Sequence, residues 1–211
     1  MAAPAGKSIR EGSAQKRSAI LLAARALFLS DGFDRTSMDL VAAEAGVSKR
    51  TVYDYYGDKR TLLAAVVDHT VEALSTAVQR AIDENLVVVP NAAQLEHALV
   101  SFAESITVSA IGSSDYAALM RLLYTEATNL PETRSMAWNA EEPEDAVATR
   151  FAAFDRDGLL HAPDPRLAAD HFVALTISPL TSSLGVVGAE VDEHRVIVEG
   201  VRAFLRAYRP F

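Results

Sequence analysis

Residues 37–59 read SMDLVAAEAGVSKRTVYDYYGDK, and this stretch holds the pattern that decides the fold. Ser37 is placed to cap a short helix, Met38–Ala45, because a serine hydroxyl can accept a hydrogen bond from a backbone N–H of the first turn. Gly46 then breaks the chain, and Ser48 can cap a second short helix. Two short helices joined by a tight turn that contains glycine are typical of a helix-turn-helix.

The second short helix, Lys49–Tyr55, has the size of a helix that enters the major groove of DNA. Val52 can face inward while the polar residues around it face solvent. Recognition helices present their N-terminal residues to base edges. Lys49 and Arg50 are therefore the candidate base contacts, because their N–H groups can pair with guanine O6 and N7.

The chain before this unit predicts one more helix and an arm. Apolar residues recur at helical spacing from Ser13 onward, and Asp31-Gly32 ends this helix. Residues 1–12 lack such periodicity, and we predict a flexible basic arm that carries Lys7 and Arg10. A disordered terminus with no role is the alternative. Residues 13–57 are the predicted DNA-binding domain.

The chain after this unit predicts only helices. A long helix begins near Asp58, and the helical pattern continues to the C-terminus without alternating strands. A late helix opens at Asp164-Pro165 and is expected to bend at Pro179, where an interior proline loses a backbone hydrogen bond. The predicted fold is all-α, with an N-terminal three-helix helix-turn-helix domain and a larger helical domain over residues 58–211.

The composition is that of an ordinary globular protein and excludes several kinds of site. Of 211 residues, 50% are hydrophobic and 23% are charged. The chain has no cysteine, which excludes disulfides, thiolate metal sites and a cysteine nucleophile. The five histidines are scattered and no catalytic motif is present. We expect no enzyme activity, no metal and no cofactor, although a triad assembled only in space stays open.

No segment is expected to cross or enter a membrane. The N-terminus lacks the apolar run of a signal peptide. The longest uncharged stretch near the C-terminus, Phe172–Ala189, is too rich in Ser, Thr, Gly and Pro for a membrane span. We expect a cytoplasmic protein.

Charge is distributed unevenly along the chain. The net charge is −8, yet residues 1–60 contain ten Lys and Arg against seven Asp and Glu. This end therefore carries +3, and the remainder carries −11. A basic end on an acidic body can turn one face toward phosphates, although chance asymmetry is an alternative.

Several spaced motifs occur together around the helix-turn-helix. They are Gly32-Phe33, Thr36-Ser37, VAAEAGVS at residues 41–48 and TVYDYYGDK at residues 51–59. In this combination and register the chain resembles the TetR family of repressors. It departs from the common family pattern at Tyr55, where many members carry histidine.

The resemblance implies that this chain contacts an operator in double-stranded DNA through defined positions. Residues that match the family's phosphate-contacting positions are Ser37, Ser48, Thr51, Tyr53, Tyr55 and Lys59. The residues that the family leaves variable, Lys49 and Arg50, fit the base-reading role assigned above. For the tyrosines, packing in the small domain is the alternative.

The last 150 residues are similar, more loosely, to regulators of the AcrR/AefR group. The similarity is carried by the motifs Met120-Arg121-Leu122, Pro131-Glu132, Gly158-Leu159-Leu160 and Asp164-Pro165. The resemblance implies that this domain binds an effector and forms a homodimer. It does not identify the effector.

An effector pocket is expected to be apolar with a few polar groups. The candidate lining residues are Phe102, Tyr116, Met120, Tyr124, Met136, Trp138 and Phe151. The tyrosines and the tryptophan combine a polar tip with an apolar body. Plain core packing is the alternative for each of these residues.

The last two helices are expected to form the dimer as a symmetric four-helix interface. The candidate interface residues are Phe172, Leu175, Leu180, Leu184, Val201, Phe204 and Leu205. Some of these must pack inside the protomer, and the sequence does not separate the two sets.

The predicted function is a ligand-responsive repressor. It binds a palindromic operator as a homodimer and is released by a small apolar or amphipathic effector. The alternative is a helical protein–protein adaptor that does not bind DNA.

Overall fold

The computed structural model describes residues 5–108, 122, 143–183 and 192–210. The helices in these ranges are α1 (Ala5–Asp31), α2 (Met38–Glu44), α3 (Lys49–Tyr56), α4 (Lys59–Asn85), α5 (Ala92–Ile106), α6 (Pro143–Arg156), α7 (Pro165–Thr176), α8 (Ser178–Ser183) and α9 (Glu193–Ala207). No strand occurs in the described residues. The predicted all-α fold is confirmed.

The chain divides into two compact units, and the boundary lies inside α4. Of the described residues, 5–70 and 122 belong to the first unit, and 71–108, 143–183 and 192–210 belong to the second. The predicted boundary at residue 58 differs because the first turns of α4 bury Leu62, Leu63 and Val66. A sequence break is visible as Gly57-Asp58, whereas burial of the following apolar residues is not.

The first helix begins earlier than its apolar stripe. Residues 1–12 were expected to be a flexible arm, but α1 already starts at Ala5. The early residues include Ala, Lys, Arg and Glu, which have good helix propensity. Once the segment after Ser13 has nucleated a helix, such residues can extend it.

The first unit is built around α1 and the helices that follow it. Ile20, Ala24 and Phe28 on α1 are fully buried, as are Val41 on α2 and Val52 on α3. These residues lie at helical spacing within their helices, so each helix turns one apolar stripe inward. The polar side of α3 is left for solvent.

The second unit is organised around an aromatic cluster from four helices. Its members are Phe102 on α5, Phe151 and Phe154 on α6, Phe172 on α7 and Phe204 on α9, all fully buried. The Phe151 ring lies 5.6 Å from Phe172 and 5.3 Å from Phe204, measured between centroids. Edge-to-face and offset pairs at such distances stabilise a core beyond their buried area.

The predicted bend at Pro179 is a full break that precedes the proline. Helix α7 ends at Thr176, and Ile177 separates it from α8, which starts at Ser178. Pro179 therefore lies in the first turn of α8, where its missing N–H has no intrahelical partner to lose. Restarting the helix avoids the cost of an interior proline.

Among the described helices, α4 is long and apolar enough to cross a membrane by length and composition alone. Its apolar residues are used in the protein interior, since Leu62, Val67, Val78 and Ile82 are buried. The helix also carries charged residues along its length, including Asp68.

Candidate nucleic-acid interface and effector cavity

The two short helices are capped as the sequence predicted. The Ser37 hydroxyl accepts a hydrogen bond from the Leu40 N–H at 3.2 Å, and that of Ser48 accepts one from the Thr51 N–H at 3.1 Å. Gly46 has φ +65°, a left-handed conformation that glycine adopts without a steric penalty. The capped helices and the glycine turn set the direction of α3.

Helix α3 has one buried and one exposed side. Val52 is fully buried, whereas Tyr53 is 43% exposed. The side chain of Arg50 is 90% exposed, and its Nε lies 3.6 Å from a carboxylate oxygen of Asp54 one turn later. The exposed side thus presents a guanidinium and a phenol, both donors that can reach bases or phosphates.

Lys49 is held by a residue of the preceding helix. Its Nζ lies 2.7 Å and 3.0 Å from the two carboxylate oxygens of Asp39 on α2. The Asp39 hydrogen bond and charge raise the pKa of Lys49. The Tyr53 ring centroid lies 5.8 Å from the same nitrogen. Both members of the ion pair remain exposed to solvent.

Tyr55 joins α3 to α1. Its hydroxyl lies 3.1 Å from Ser13 Oγ, and the guanidinium of Arg17 lies 5.1 Å from its ring centroid. Burial raises the pKa of the neighbouring Tyr56 phenol. Tyr55 is half-buried, and a phenol bonded to one hydroxyl can make a second hydrogen bond. Its contact with a phosphate remains a prediction.

The role predicted for Lys59 is corrected by its surroundings. Its Nζ donates to the carbonyl oxygens of Phe33, Asp34 and Thr36 at 2.8, 3.3 and 2.9 Å. It also lies 4.4 Å from the Phe33 ring centroid. An ammonium has three donors, and all three have partners here. Lys59 ties the start of α4 to the turn between α1 and α2 instead of offering a free cation to phosphate.

A cavity of about 240 Å³ lies in the second unit. Its described lining is mostly apolar, with Leu74 and Val78 from α4, Phe102 from α5 and Phe172 from α7. Glu144 and Ser178 add polar groups to the lining. An apolar cavity with a few polar groups is the usual form of a small-molecule site.

The structure places the predicted pocket residues in three groups: in the cavity lining, in the aromatic cluster, and outside the described residues. Phe102 lines the cavity. The prediction that Phe151 lines the pocket is corrected, because this residue packs against other phenylalanines inside the aromatic cluster and is not among the residues that line the cavity. The remaining candidates lie outside the described residues: Tyr116, Met120, Tyr124, Met136 and Trp138.

Four predicted dimer contacts are corrected by burial inside the protomer. They are Phe172, Leu180, Val201 and Phe204. Their side chains face the core because α9 packs on α7 and on α5, and because α8, which carries Leu180, packs on α7. Leu205 is half-buried against this core and Leu175 is 38% exposed, while Leu184 lies outside the described residues.

Known family models match this chain in both of its units. The family model "Bacterial regulatory proteins, tetR family" matches residues 20–66, and "AefR-like transcriptional repressor, C-terminal domain" matches residues 94–210. The second match alone spans more than half of the chain. The chain belongs to the TetR family.

Individual TetR-family proteins are similar over most of the chain. The transcriptional activator FasR of Mycolicibacterium smegmatis is 28% identical over 77% of this chain and 69% of its own. The crystal structure of a TetR-family regulator from Mesorhizobium loti has a TM-score of 0.82 at 27% identity and covers 93% of this chain and 98% of its own. A flavonoid-responsive regulator, FrrA, has a TM-score of 0.69 at 28% identity, with the same coverage.

Membership in the TetR family decides the class of function. Proteins of this family are DNA-binding transcriptional regulators and not enzymes, so the scattered histidines need no catalytic role. The adaptor alternative, in which the helix-turn-helix never meets DNA, is set aside on the same ground.

Some residues of this TetR-family site were not foreseen from the sequence. Asp39 holds Lys49, and Ser13 and Arg17 meet Tyr55. The buried hydroxyl of Thr36 donates to the carbonyls of Leu27 and Gly32 at 3.1 and 2.9 Å. The motif Thr36-Ser37 signalled that position, but the three charged or polar partners are distant in sequence and left no local pattern.

Proposed function

We propose that this regulator is a cytoplasmic repressor that binds a palindromic operator as a homodimer and is released by a small apolar or amphipathic effector. The exposed side of α3 is the observation that carries the proposal. Lys49, Arg50 and Tyr53 lie on a capped, eight-residue helix whose Val52 is buried in the domain core. A helix of this kind can enter the major groove and donate to base edges.

The contact set proposed on DNA follows from position and exposure. Arg50 and Lys49 are the base contacts, since both are exposed near the N-terminus of α3. Ser37, Ser48, Thr51, Tyr53 and Tyr55 are the proposed phosphate contacts. Phosphate contacts orient the protein on the duplex, and base contacts provide sequence preference.

A homodimer is proposed because a palindromic operator mirrors the two-fold symmetry of the protein that reads it. The exposed apolar residues of α7 are the best candidates for its interface. Leu167 and Leu175 are 47% and 38% exposed and lie eight residues apart, which places them on one side of the helix. Isologous contact of this side with its copy would remove both leucines from water.

The cavity in the second unit is the proposed effector site. Its mainly apolar lining fits an apolar or amphipathic molecule, and the similar protein FrrA is a flavonoid-responsive regulator. Helix α4 contributes Leu74 and Val78 to the cavity and begins in the DNA-binding unit. A coupling of about 1–3 kcal/mol through this helix would change operator affinity about 5–150-fold. Mass spectrometry of co-purified small molecules, followed by titration, tests this step; a bound molecule that leaves operator affinity unchanged contradicts it.

Repression is proposed because the matched C-terminal family model is described as that of a repressor. FasR is an activator, so the opposite outcome has a precedent among similar proteins. Transcription in vitro from the gene's own upstream region should fall when the protein is added. A rise would reverse the direction assigned here.

The DNA-binding step is tested by titrating the upstream intergenic duplex and a scrambled duplex of equal length. We expect binding that weakens steeply with salt, because Lys and Arg displace counterions from phosphates. Replacing Lys49 and Arg50 together with alanine should remove the preference for the upstream duplex. Each bidentate base contact is worth about 1–3 kcal/mol of discrimination. Unchanged preference in the double variant would contradict the role of α3.

A further inference from the structure

The ion pair between Asp39 and Lys49 crosses the turn of the helix-turn-helix. Both carboxylate oxygens of Asp39 face the Lys49 ammonium, at 2.7 and 3.0 Å. Their side chains are 61% and 59% exposed, so the pair lies on the surface and not in the domain core. An exposed pair contributes little to stability. Because the pair lies beside the exposed side of α3, its position favours a role in DNA binding and not in stability.

The geometry limits what Lys49 can do. An ammonium has three N–H donors, and the two oxygens of Asp39 occupy at most two of them. At least one donor remains, and it projects from a nitrogen whose place is defined by α2. A restrained donor can select one acceptor on a base edge, whereas an unrestrained lysine can reach several phosphate oxygens as a point charge.

The charge balance of the pair points the same way. Lys49 and Asp39 together are neutral, so this part of the surface attracts the phosphate backbone less than a lone lysine would. Non-specific binding depends almost entirely on such attraction. A neutral pair that still donates a hydrogen bond favours a matched base over arbitrary DNA.

We propose that Asp39 is a positioning residue for DNA specificity, which holds Lys49 toward a base edge and keeps it off the phosphate backbone. The proposal rests on the proposed function, because it requires α3 to meet DNA. Arg50 provides a contrast within the same helix. Its Nε is 3.6 Å from Asp54, and its side chain is 90% exposed, so it is far less restrained.

The variant Asp39→Asn tests the proposal, because it keeps the shape of the side chain and removes its charge. Two duplexes are needed: one selected by the wild-type protein from a randomised pool, and a scrambled duplex of equal length and composition. The variant should bind the scrambled duplex about twofold to fivefold more tightly, which is the strength of an exposed ion pair. Affinity for the selected duplex should change less, so the ratio of the two affinities falls.

Salt dependence gives a readout that a purely structural role would not move. Once Lys49 is free to neutralise a phosphate, the plot of log K against log salt for the scrambled duplex should steepen by about 0.9. In a Lys49→Ala background, Asp39→Asn should leave both the affinity and the slope unchanged. Circular dichroism should show that Asp39→Asn stays folded, with only a small decrease in melting temperature, because the variant loses the ion pair and a charge in the first turn of α2.

Glu44→Gln is the matched control for net charge. Glu44 lies on the same helix, is exposed, and does not take part in the Lys49 ion pair. If Glu44→Gln reproduces the effect of Asp39→Asn, bulk charge explains it and the proposal is wrong. It is equally wrong if Asp39→Asn leaves both the affinity ratio and the slope at their wild-type values. Wild-type protein that shows no salt-sensitive DNA binding at all would instead remove the proposed function itself.

Discussion

At the scale of single residues, Lys59 shows how one side chain can replace a predicted contact with a structural one. Its ammonium meets three backbone carbonyls of the turn between α1 and α2, and it lies over the Phe33 ring. Hydrogen bonds made by a charged group contribute about 1.5–3 kcal/mol. Lys59→Met should therefore lower the free energy of unfolding by about this amount, measured by urea denaturation at constant protein concentration.

The salt dependence of DNA binding distinguishes a structural role of Lys59 from a phosphate contact. Because Lys59 has no free donor, its loss should leave the salt slope of DNA binding unchanged. Lys16→Met is the control, since Lys16 is an exposed lysine on α1 and its loss should change stability by less than about 0.5 kcal/mol. A Lys59→Met protein that is as stable as wild type, with a slope reduced by about 0.9, would restore the phosphate contact.

At this scale, the sequence predicted interactions between residues that are close along the chain and missed those between distant residues. The caps at Ser37 and Ser48 join residues three apart, so the local pattern was sufficient. Lys49 binds a residue ten positions earlier, and Lys59 reaches back 26 positions to Phe33. Such pairs depend on how helices pack, and no pattern in the neighbouring residues predicts them.

At the scale of helices, the contact between α7 and α9 depends on one glycine. A Cβ at Gly200 would clash with the carbonyl oxygen of Leu175 and lie 2.8 Å from the carbonyl carbon. Backbone atoms cannot move aside as a flexible side chain can. Gly200→Ala should therefore destabilise the second unit by about 1–3 kcal/mol, the usual cost of overpacking, and lower its melting temperature.

Gly12→Ala is the matched control within α1. Nothing lies within 4 Å of a Cβ at Gly12. Because alanine favours a helix more than glycine does, this change should stabilise α1 by about 0.5–1 kcal/mol. The two substitutions are chemically identical and are expected to act in opposite directions. If Gly200→Ala also raises the melting temperature, the close approach of α7 and α9 is not a constraint.

The type of each described helix was accessible from the sequence, but some of its ends were not. The pair Asp164-Pro165 predicted the start of α7 correctly. Helix α1 extends beyond its apolar stripe to Ala5, and α7 stops before Pro179. At those ends the decisive factors are propagation of a formed helix and the cost of an interior proline, which a hydrophobic pattern does not record.

At the scale of the whole molecule, the two units differ in how much the sequence revealed about them. The DNA-binding motif was recognisable because its caps, turn and exposed face all lie within residues 37–59. The predicted dimer residues were mixed with core residues, since both are apolar and recur at the same helical spacing. Only burial separates Phe172 and Phe204 from the exposed Leu175.

The proposed homodimer interface on α7 can be tested by placing a charge in it. Glutamate in place of Leu175 would bring like charges together across a two-fold axis, so Leu175→Glu should sediment as a monomer where the wild type sediments as a dimer. Val88→Glu is the control, because Val88 is 81% exposed in the loop after α4 and is not part of the proposed face. A dimeric Leu175→Glu protein would move the interface away from this part of α7.

Hydroxyl-radical footprinting of the wild-type protein on its selected operator tests most directly whether paired α3 helices read DNA. We expect two protected segments related by two-fold symmetry, with centres one helical turn or a multiple of it apart, roughly 34–36 Å per turn. Protection should be lost in the variant with Lys49 and Arg50 both replaced by alanine. A single unsymmetrical segment, or full protection by that double variant, would contradict the claim that this protein reads its operator through α3 as a dimer.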